Sequence, residues 1–192
     1  MRERKLLSTP ADIGEDAMWK LLPRLFTLLL PLLATPLHAA EDTVKATFIN
    51  TDGRAIGTVD LRQIESGVLV SARASRLPSG RHGFHFHETG HCDPQTGFRS
   101  AGGHYAPRDN AHGLDVADGP HAGDMPNQTV DERGTLRVDL LNSRVSLAGA
   151  EAPLLDDDGS ALVVHAGHDD YRSQPSGDAG NRIACAAIVQ TR

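Results

Sequence analysis

Beyond residue 43 the chain alternates apolar and polar residues one by one over several stretches, the period of a strand with one buried face. Val44, Ala46 and Phe48 alternate with Lys45 and Thr47, and after an Asp52-Gly53 turn Val59 and Leu61 alternate with Asp60 and Arg62. Val70, Ala72 and Ala74 alternate with Ser71 and Arg73, a Pro78-Ser79-Gly80 turn follows, and then comes GFHFHE over residues 83–88. Leu136, Val138 and Leu140 alternate with Arg137 and Asp139, and short apolar runs span Val145 to Leu147, Ala161 to Val164 and Ile183 to Val189. Seven or eight strands, with no long helical period and no internal repeat, predict an all-β fold: an eight-stranded Greek-key barrel or sandwich.

Two segments break the pattern, Gly90 to Asn127 and Ala166 to Arg182. Structureless loops that long are uncommon in compact domains unless they serve a function. Between them lies the histidine strand. If Phe84 and Phe86 fill the core, the pleat points His85 and His87 outward on one face, where the two rings grip one ion together. The first long loop carries His91, His104, His112, His121 and Asp124 among glycines and prolines. It has too little apolar surface to offset its ordering entropy, so metal bonds are the natural source of its order. His104, His112, His121 and Asp124 make a closed tetrahedral zinc set. His85, His87, His165 and the second nitrogen of His104 make another, which suits copper by ligand type, although ligand type alone does not separate copper from zinc.

Composition adds a compartment. The chain has 192 residues and a net charge of -6, enough for one well-buried core and unsuited to binding nucleic acid. Leu21 to Leu33 is a Leu-rich run behind Lys20 and Arg24, and a small-residue stretch ends at Ala39-Ala40. Residues 1–39 read as a secretory signal peptide cleaved near Ala39 or Ala40, with Met18 as the expected initiator. Residues 40–192 are then one domain with no membrane anchor after processing, in a periplasmic or secreted location. Cys92 and Cys185 are an even pair in an oxidising compartment, which favours a disulfide over two buried thiols.

GFHFHE, AGGHYAP over 101–107, His112-Gly113, HAGDMPN over 121–127, LVVHAG over 162–167 and AGNRIAC over 179–185 together resemble the copper/zinc superoxide dismutases, particularly the exported bacterial type. The resemblance spans about Val44 to Val189. It implies copper and zinc, one of each per chain, and dismutation of superoxide anion to oxygen and hydrogen peroxide by alternating reduction and oxidation of copper. It implies copper ligands His85, His87, His104 and His165, zinc ligands His104, His112, His121 and Asp124, and His104 as the bridge that also carries a proton. Arg182 matches the arginine that orients superoxide, Asp169 the aspartate that hydrogen-bonds a ligand from each set, and Cys92 with Cys185 the intrasubunit disulfide. A homodimer is compatible with it, since bacterial relatives include monomers and dimers.

His82 matches a family position outside the metal shell, and His91 and His168 match no ligand position and read as solvated. Ala106, Ser176 and Ala186 depart from the usual residues, and Ala186 matters if its backbone needs a positive φ. Asn127-Gln128-Thr129 is a glycosylation sequon in a eukaryotic secretory pathway. A copper-delivery module is expected to lose Arg182 or a copper ligand, and both persist. A two-metal hydrolase wants Asp and His at positions 89 and 90, where Thr89 and Gly90 stand, and a cupin wants an acidic ligand where His91 and Cys92 fall. Of 19 basic and 25 acidic side chains, five and four lie in residues 1–39, leaving 14 and 21 and a net charge near -7. An anionic substrate then needs local positive potential, with Arg182 at its core and Arg172 as a helper.

Overall fold

The computed structural model describes residues 43–149 and 151–190, so the expected leader over residues 1–39 lies outside the described residues. Eight strands form: β1 (Thr43–Asn50), β2 (Ala55–Ile64), β3 (Gly67–Ala74), β4 (Gly80–His87), β5 (Asp124–Val130), β6 (Leu136–Asn142), β7 (Ser160–His165) and β8 (Arg182–Ile188). They close into an antiparallel barrel in the order β1-β2-β3-β6-β5-β4-β7-β8, with the crossed connections of a Greek key. The sheet is continuous over most of its girth but is joined by short seams at two places, Ile49 and Asn50 against β8, and Val130 against Leu136.

The period-2 reading of the chain is reproduced in space. Val44, Phe48, Val59, Leu61, Val70, Ala72, Phe84, Phe86, Leu136, Val138, Leu162 and Val164 fill the barrel, while Lys45, Asp60, Ser71 and Asp139 stand outside in one cross-strand row. Lys45 pairs with Asp60 at 3.4 Å and the Ser71 hydroxyl donates to Asp139 at 2.7 Å. Such cross-strand pairs fix register as much as they add stability.

Two elements differ from the sequence expectation. Val145 to Leu147 is not a strand; Ser146 forms a single bridge to Pro153, and Val145 and Leu147 are buried in the main apolar cluster. The strand count is made up by β5, whose sequence DMPNQTV shows no apolar alternation. Met125 and Val130 anchor it in the core, and Asp124 begins it for a different reason, described below. Ala186 is a buried residue of β8 opposite Leu162, with no positive φ, so a Cβ costs nothing there.

The two long connections run over the outside of the barrel. The first, residues 88–123, contains short 3-10 turns at Pro94–Thr96 and Arg99–Ala101. It is clipped to β8 by a Cys92–Cys185 disulfide that spans 93 residues of sequence. Around that bond lies a second apolar cluster of Phe98, Ala101, Ala161 and Val163, on the outer face of β7 and β8. Reduction of this bond is expected to lower the unfolding free energy by roughly 4 to 5 kcal/mol in the chain-entropy limit. Denaturant unfolding with and without reductant measures the change; an unchanged midpoint would mean that the loop is held by the Phe98 cluster alone.

Candidate metal centre

The pleat of β4 decides where the centre is. Phe84 and Phe86 are in the core, and His85 and His87 stand on the opposite face, yet both histidines are fully buried. The two long loops cover them. Gly83, on the same strand, has no room for a side chain: a Cβ there meets the Ala179 Cβ at 2.9 Å and the His85 ring at 3.0 Å. Its N–H donates to Gly167 O at 2.8 Å, so the second loop lies directly on the histidine strand.

Each remaining side chain arrives by a distinct backbone device. His104 pairs with His87 across an antiparallel bridge, fixed by Tyr105 N–H to Phe86 O at 2.9 Å and Glu88 N–H to Gly103 O at 3.1 Å. His165 ends β7 at a register shift and lies opposite Arg182, the first residue of β8. Asp124 opens β5 opposite His85. Its Oδ2 accepts from the N–H of Gly113 at 2.9 Å and of His121 at 3.0 Å, which orders the loop around the carboxylate.

All seven side chains converge into two sets that share His104. Ligand-capable atoms of His85, His87, His104 and His165 lie within 4.8 Å of one another, and so do those of His104, His112, His121 and Asp124. In the second set the Nδ1 atoms of His104, His112 and His121 lie 2.9, 3.1 and 3.4 Å from Asp124 Oδ1. Tetrahedral ligands about 2.0 to 2.1 Å from a zinc ion are roughly 3.3 Å apart, so this donor set fits the ion.

In the copper-type set, hydrogen bonds to the outer ring nitrogens turn the other nitrogen of His85, His87 and His165 inward, where the Nε2 atoms of His87 and His165 lie 3.3 Å apart. His85 Nε2 contacts Asp169 Oδ2 at 2.8 Å, His87 Nδ1 contacts Gly102 O at 3.0 Å, and His165 Nδ1 contacts Gly180 O at 3.2 Å. The inward atoms are therefore His85 Nδ1, His87 Nε2 and His165 Nε2. His85 Nδ1, His104 Nε2 and His121 Nδ1 are buried with no hydrogen-bond partner, an arrangement that costs free energy unless a cation fills it. His104 has Nδ1 toward the zinc set and Nε2 toward the other. Asp169 spans both sets, with Oδ2 on His85 and Oδ1 on His112 Nε2 at 3.1 Å. Gly177, at φ +68°, packs so tightly on it that a Cβ falls 1.8 Å from Asp169 Oδ1.

Electrostatics separates the two sets. Burial lowers His104 to about 4, against a hydrogen bond to Asp124 that acts to raise it; burial, with Arg182 nearby, lowers His165 to about 3 and holds His87 well below its ordinary value. These rings are neutral and ready to ligate at neutral pH. His112 goes the other way: burial opposes its charge, but hydrogen bonds to Asp124 and Asp169 raise it to about 9. Burial also acts to raise Asp124 and Asp169, and hydrogen bonds from the imidazoles outweigh it, so both stay well below the usual carboxylate range.

Arg182 sits beside the copper-type set, its guanidinium donating to the carbonyls of Phe98 and Gly102 in the disulfide-clipped loop. Burial lowers its pKa, Glu88 acts to raise it and Arg99 to lower it. Arg99 and Arg182 line one depression of about 470 Å³ with Thr96 and Asn181. Arg99 is thus a second cation near Arg182 that sequence reading missed. Arg172 is exposed and lies 3.5 Å from Asp115 on the zinc loop.

Other expected placements resolve simply. His82 is buried with its nitrogens on His165 O at 2.8 Å and Pro78 O at 2.9 Å, outside both sets, and His91 and His168 are exposed. Asn127 was readable only as a sequon; its amide instead donates to Asp169 O at 2.8 Å and accepts from Asp169 N–H at 2.7 Å. Its position beside Asp124 was the available signal.

Comparison with known proteins matches residues 55–188 to the family model described as copper/zinc superoxide dismutase. The chain is 48% identical over 159 residues to a copper/zinc superoxide dismutase of Aquifex aeolicus, covering 82% of this chain and 92% of that one. It is 40% identical over 140 residues to a copper/zinc superoxide dismutase of Caulobacter vibrioides, covering 71% and 80%. Among solved structures, a superoxide dismutase-like protein from Bacillus subtilis superposes with a TM-score of 0.71 at 36% identity, covering 75% of this chain and 97% of that one. The copper/zinc superoxide dismutase from Brucella abortus gives 0.62 at 26% identity, covering 76% and 99%.

The opposed shifts give the metal-stripped chain a defined pH dependence. The unfolded chain takes up protons near 6.5 that folded His104 and His165 refuse, so their contribution is present above 6.5 and lost as pH falls toward about 4 and 3. His112 contributes stability that is present below 6.5 and lost as pH rises through about 9. The melting temperature of chelator-treated protein is expected to peak near pH 6.5 and decline on both sides. A midpoint that keeps rising from about pH 7 to about pH 9 would contradict the pairing of His112 with Asp124 and Asp169.

Proposed function

The chain belongs to the copper/zinc superoxide dismutase family, oxidoreductases that convert two superoxide anions and two protons into oxygen and hydrogen peroxide, and from that premise we propose a role for each residue of the centre. When bound, copper supplies the one-electron couple and zinc a redox-inert charge. His85 Nδ1 and the Nε2 atoms of His87, His104 and His165 would hold the copper. His104, His112 and His121 through Nδ1, with Asp124, would hold the zinc. The observation that carries the reading is the shared ring: His104 Nδ1 lies 2.9 Å from Asp124 while its Nε2 is buried and unpartnered toward the other three histidines.

Arg182 binds and orients the superoxide anion. Its guanidinium keeps its charge at working pH, and the carbonyls of Phe98 and Gly102 fix its direction. When its Nε2 is not engaged by copper, His104 would hold a proton at that atom and pass it to the reduced product. Asp169 orients His85 and His112 from outside, and Cys92–Cys185 pins the loop on which Arg182 leans. Residues 1–39 act as an export signal and residues 40–192 as the enzyme in the periplasm or outside the cell; the disulfide suits that compartment. No helix among the described residues is long and apolar enough to cross a membrane.

Metal analysis of purified protein, paired with superoxide-consumption assays, tests the assignment. The expected result is one copper and one zinc per chain, with copper and activity lost together in His165→Ala while zinc stays. Undiminished turnover in that variant would exclude the copper assignment. Because the mature chain is net negative, attraction of the anion depends on local potential around Arg182, and kcat/KM is expected to fall as salt is added. A rate indifferent to ionic strength would remove steering and leave the ligand assignment standing.

A further inference from the structure

The second loop grips the first at a point outside the metal sets. Gln174 Oε1 accepts from the His112 N–H at 2.9 Å, and its Nε2 donates to the His112 carbonyl at 2.8 Å and the Arg172 carbonyl at 3.0 Å. One side-chain amide therefore satisfies both backbone groups of His112, as a neighbouring strand would. His112 is also the residue whose ring touches both Asp124 and Asp169.

The second loop has little apolar surface to order it. Within residues 166–181 only Asp169, Gly177 and Ala179 are buried, so apolar burial cannot offset the entropy of fixing the segment. Its order rests on polar links: backbone bonds within it such as Gly167 N–H to Ala179 O, Gly83 N–H to Gly167 O, Asp169 to the His85 and His112 rings, the paired Asn127–Asp169 bonds, Asn127 N–H to the Tyr171 hydroxyl at 2.8 Å, and Asp115 N–H to Tyr171 O at 3.2 Å. Gln174 is the link from this loop to the backbone of a zinc-set residue.

We infer that Gln174 is a positioning residue for the zinc set: by holding the His112 backbone it aims the ring and couples zinc binding to the order of residues 166–181. The inference rests on the zinc assignment proposed above. Zinc would hold His112 at Nδ1 from inside while Gln174 holds its backbone from outside, so each fixes a degree of freedom that the other needs. Loss of the amide leaves the His112 N–H and carbonyl to water and frees the ring to swing. Partners one step beyond a ligand typically change metal affinity by ~10–100-fold, and Gln174 acts through the backbone, which places its effect at about tenfold.

The test titrates zinc into copper-free protein against a chromophoric chelator and follows amide hydrogen exchange across residues 166–181, for wild type, Gln174→Ala and Gln63→Ala. Gln63 is the control, because it makes a clasp of the same chemistry within the barrel, to Ile64 O, Gly67 O and Leu147 N–H, with no contact to either set. Gln174→Ala is expected to weaken zinc about tenfold and speed exchange in the zinc-loaded loop, whereas Gln63→Ala lowers the melting temperature and leaves zinc affinity unchanged. Gln174→Glu, which keeps the acceptor for the His112 N–H and loses the donors, is expected to fall between and serves if the alanine variant does not fold. Wild-type zinc affinity in the position-174 variants, or equal weakening in Gln63→Ala, overturns the inference. A wild type that takes up no zinc overturns the zinc assignment first, and this coupling with it.

Discussion

A strand sends successive side chains to opposite faces, and on β4 that rule forces a choice. Phe84 and Phe86 go to the core, so His85 and His87 go outside, where solvent would ordinarily cover them. A redox centre on an open sheet face would have uncontrolled water and no fixed geometry. The molecule instead lays two segments of nearly strandless chain over that face, and the first of them supplies His104, His112 and His121, while Arg182 opens β8 where the second ends. Barrel and roof therefore have different physics. The barrel is held by apolar burial and ladders of backbone hydrogen bonds, the roof by a disulfide, carboxylate-centred hydrogen bonds and the ions it encloses.

Asp124 and Asp169 organise the roof. Each is almost without exposed surface and each faces two or more imidazoles and backbone N–H groups. A buried carboxylate with that many donors is a node rather than a pair, and networks of this kind hold direction as much as energy. Asp124 draws the zinc rings toward one point. Asp169 ties the second loop to a ring of each set, so a displacement on the zinc side is felt at His85.

The all-β class and most strands were legible because one-face burial writes a period of two into the sequence. The failures are informative. Val145 and Leu147 look like a strand and are buried, but they join the apolar cluster without joining the ladder. β5 was invisible because its first residue is a ligand-type aspartate and its third a proline; alternation is absent where function and edge geometry choose the residues. The histidine sets were legible through spacing and family motifs. What spacing does not encode is which loop atom meets which backbone group across 40 to 60 residues of sequence. Asn127, Gln174 and Arg99 carry no local signature, and only the folded loops give them neighbours.

Charge shows why the roof needs such exact polar bookkeeping. An enzyme with a surplus of acidic side chains must hold an anion's attention at one spot, so the positive potential there has to come from few groups in fixed positions. Arg182 is half-buried, which weakens its hydration and lowers its pKa, and it stays put because two carbonyls of the disulfide-clipped loop accept from it. Arg99, between those carbonyls in sequence, lines the same depression and no acidic side chain does. Glu88, although close enough to act on Arg182, is turned to the Gly103 N–H. The same loop thus places one cation, positions another and engages the Glu88 carboxylate, which makes the Cys92–Cys185 clip a constraint on the electric field at the centre as well as on the fold.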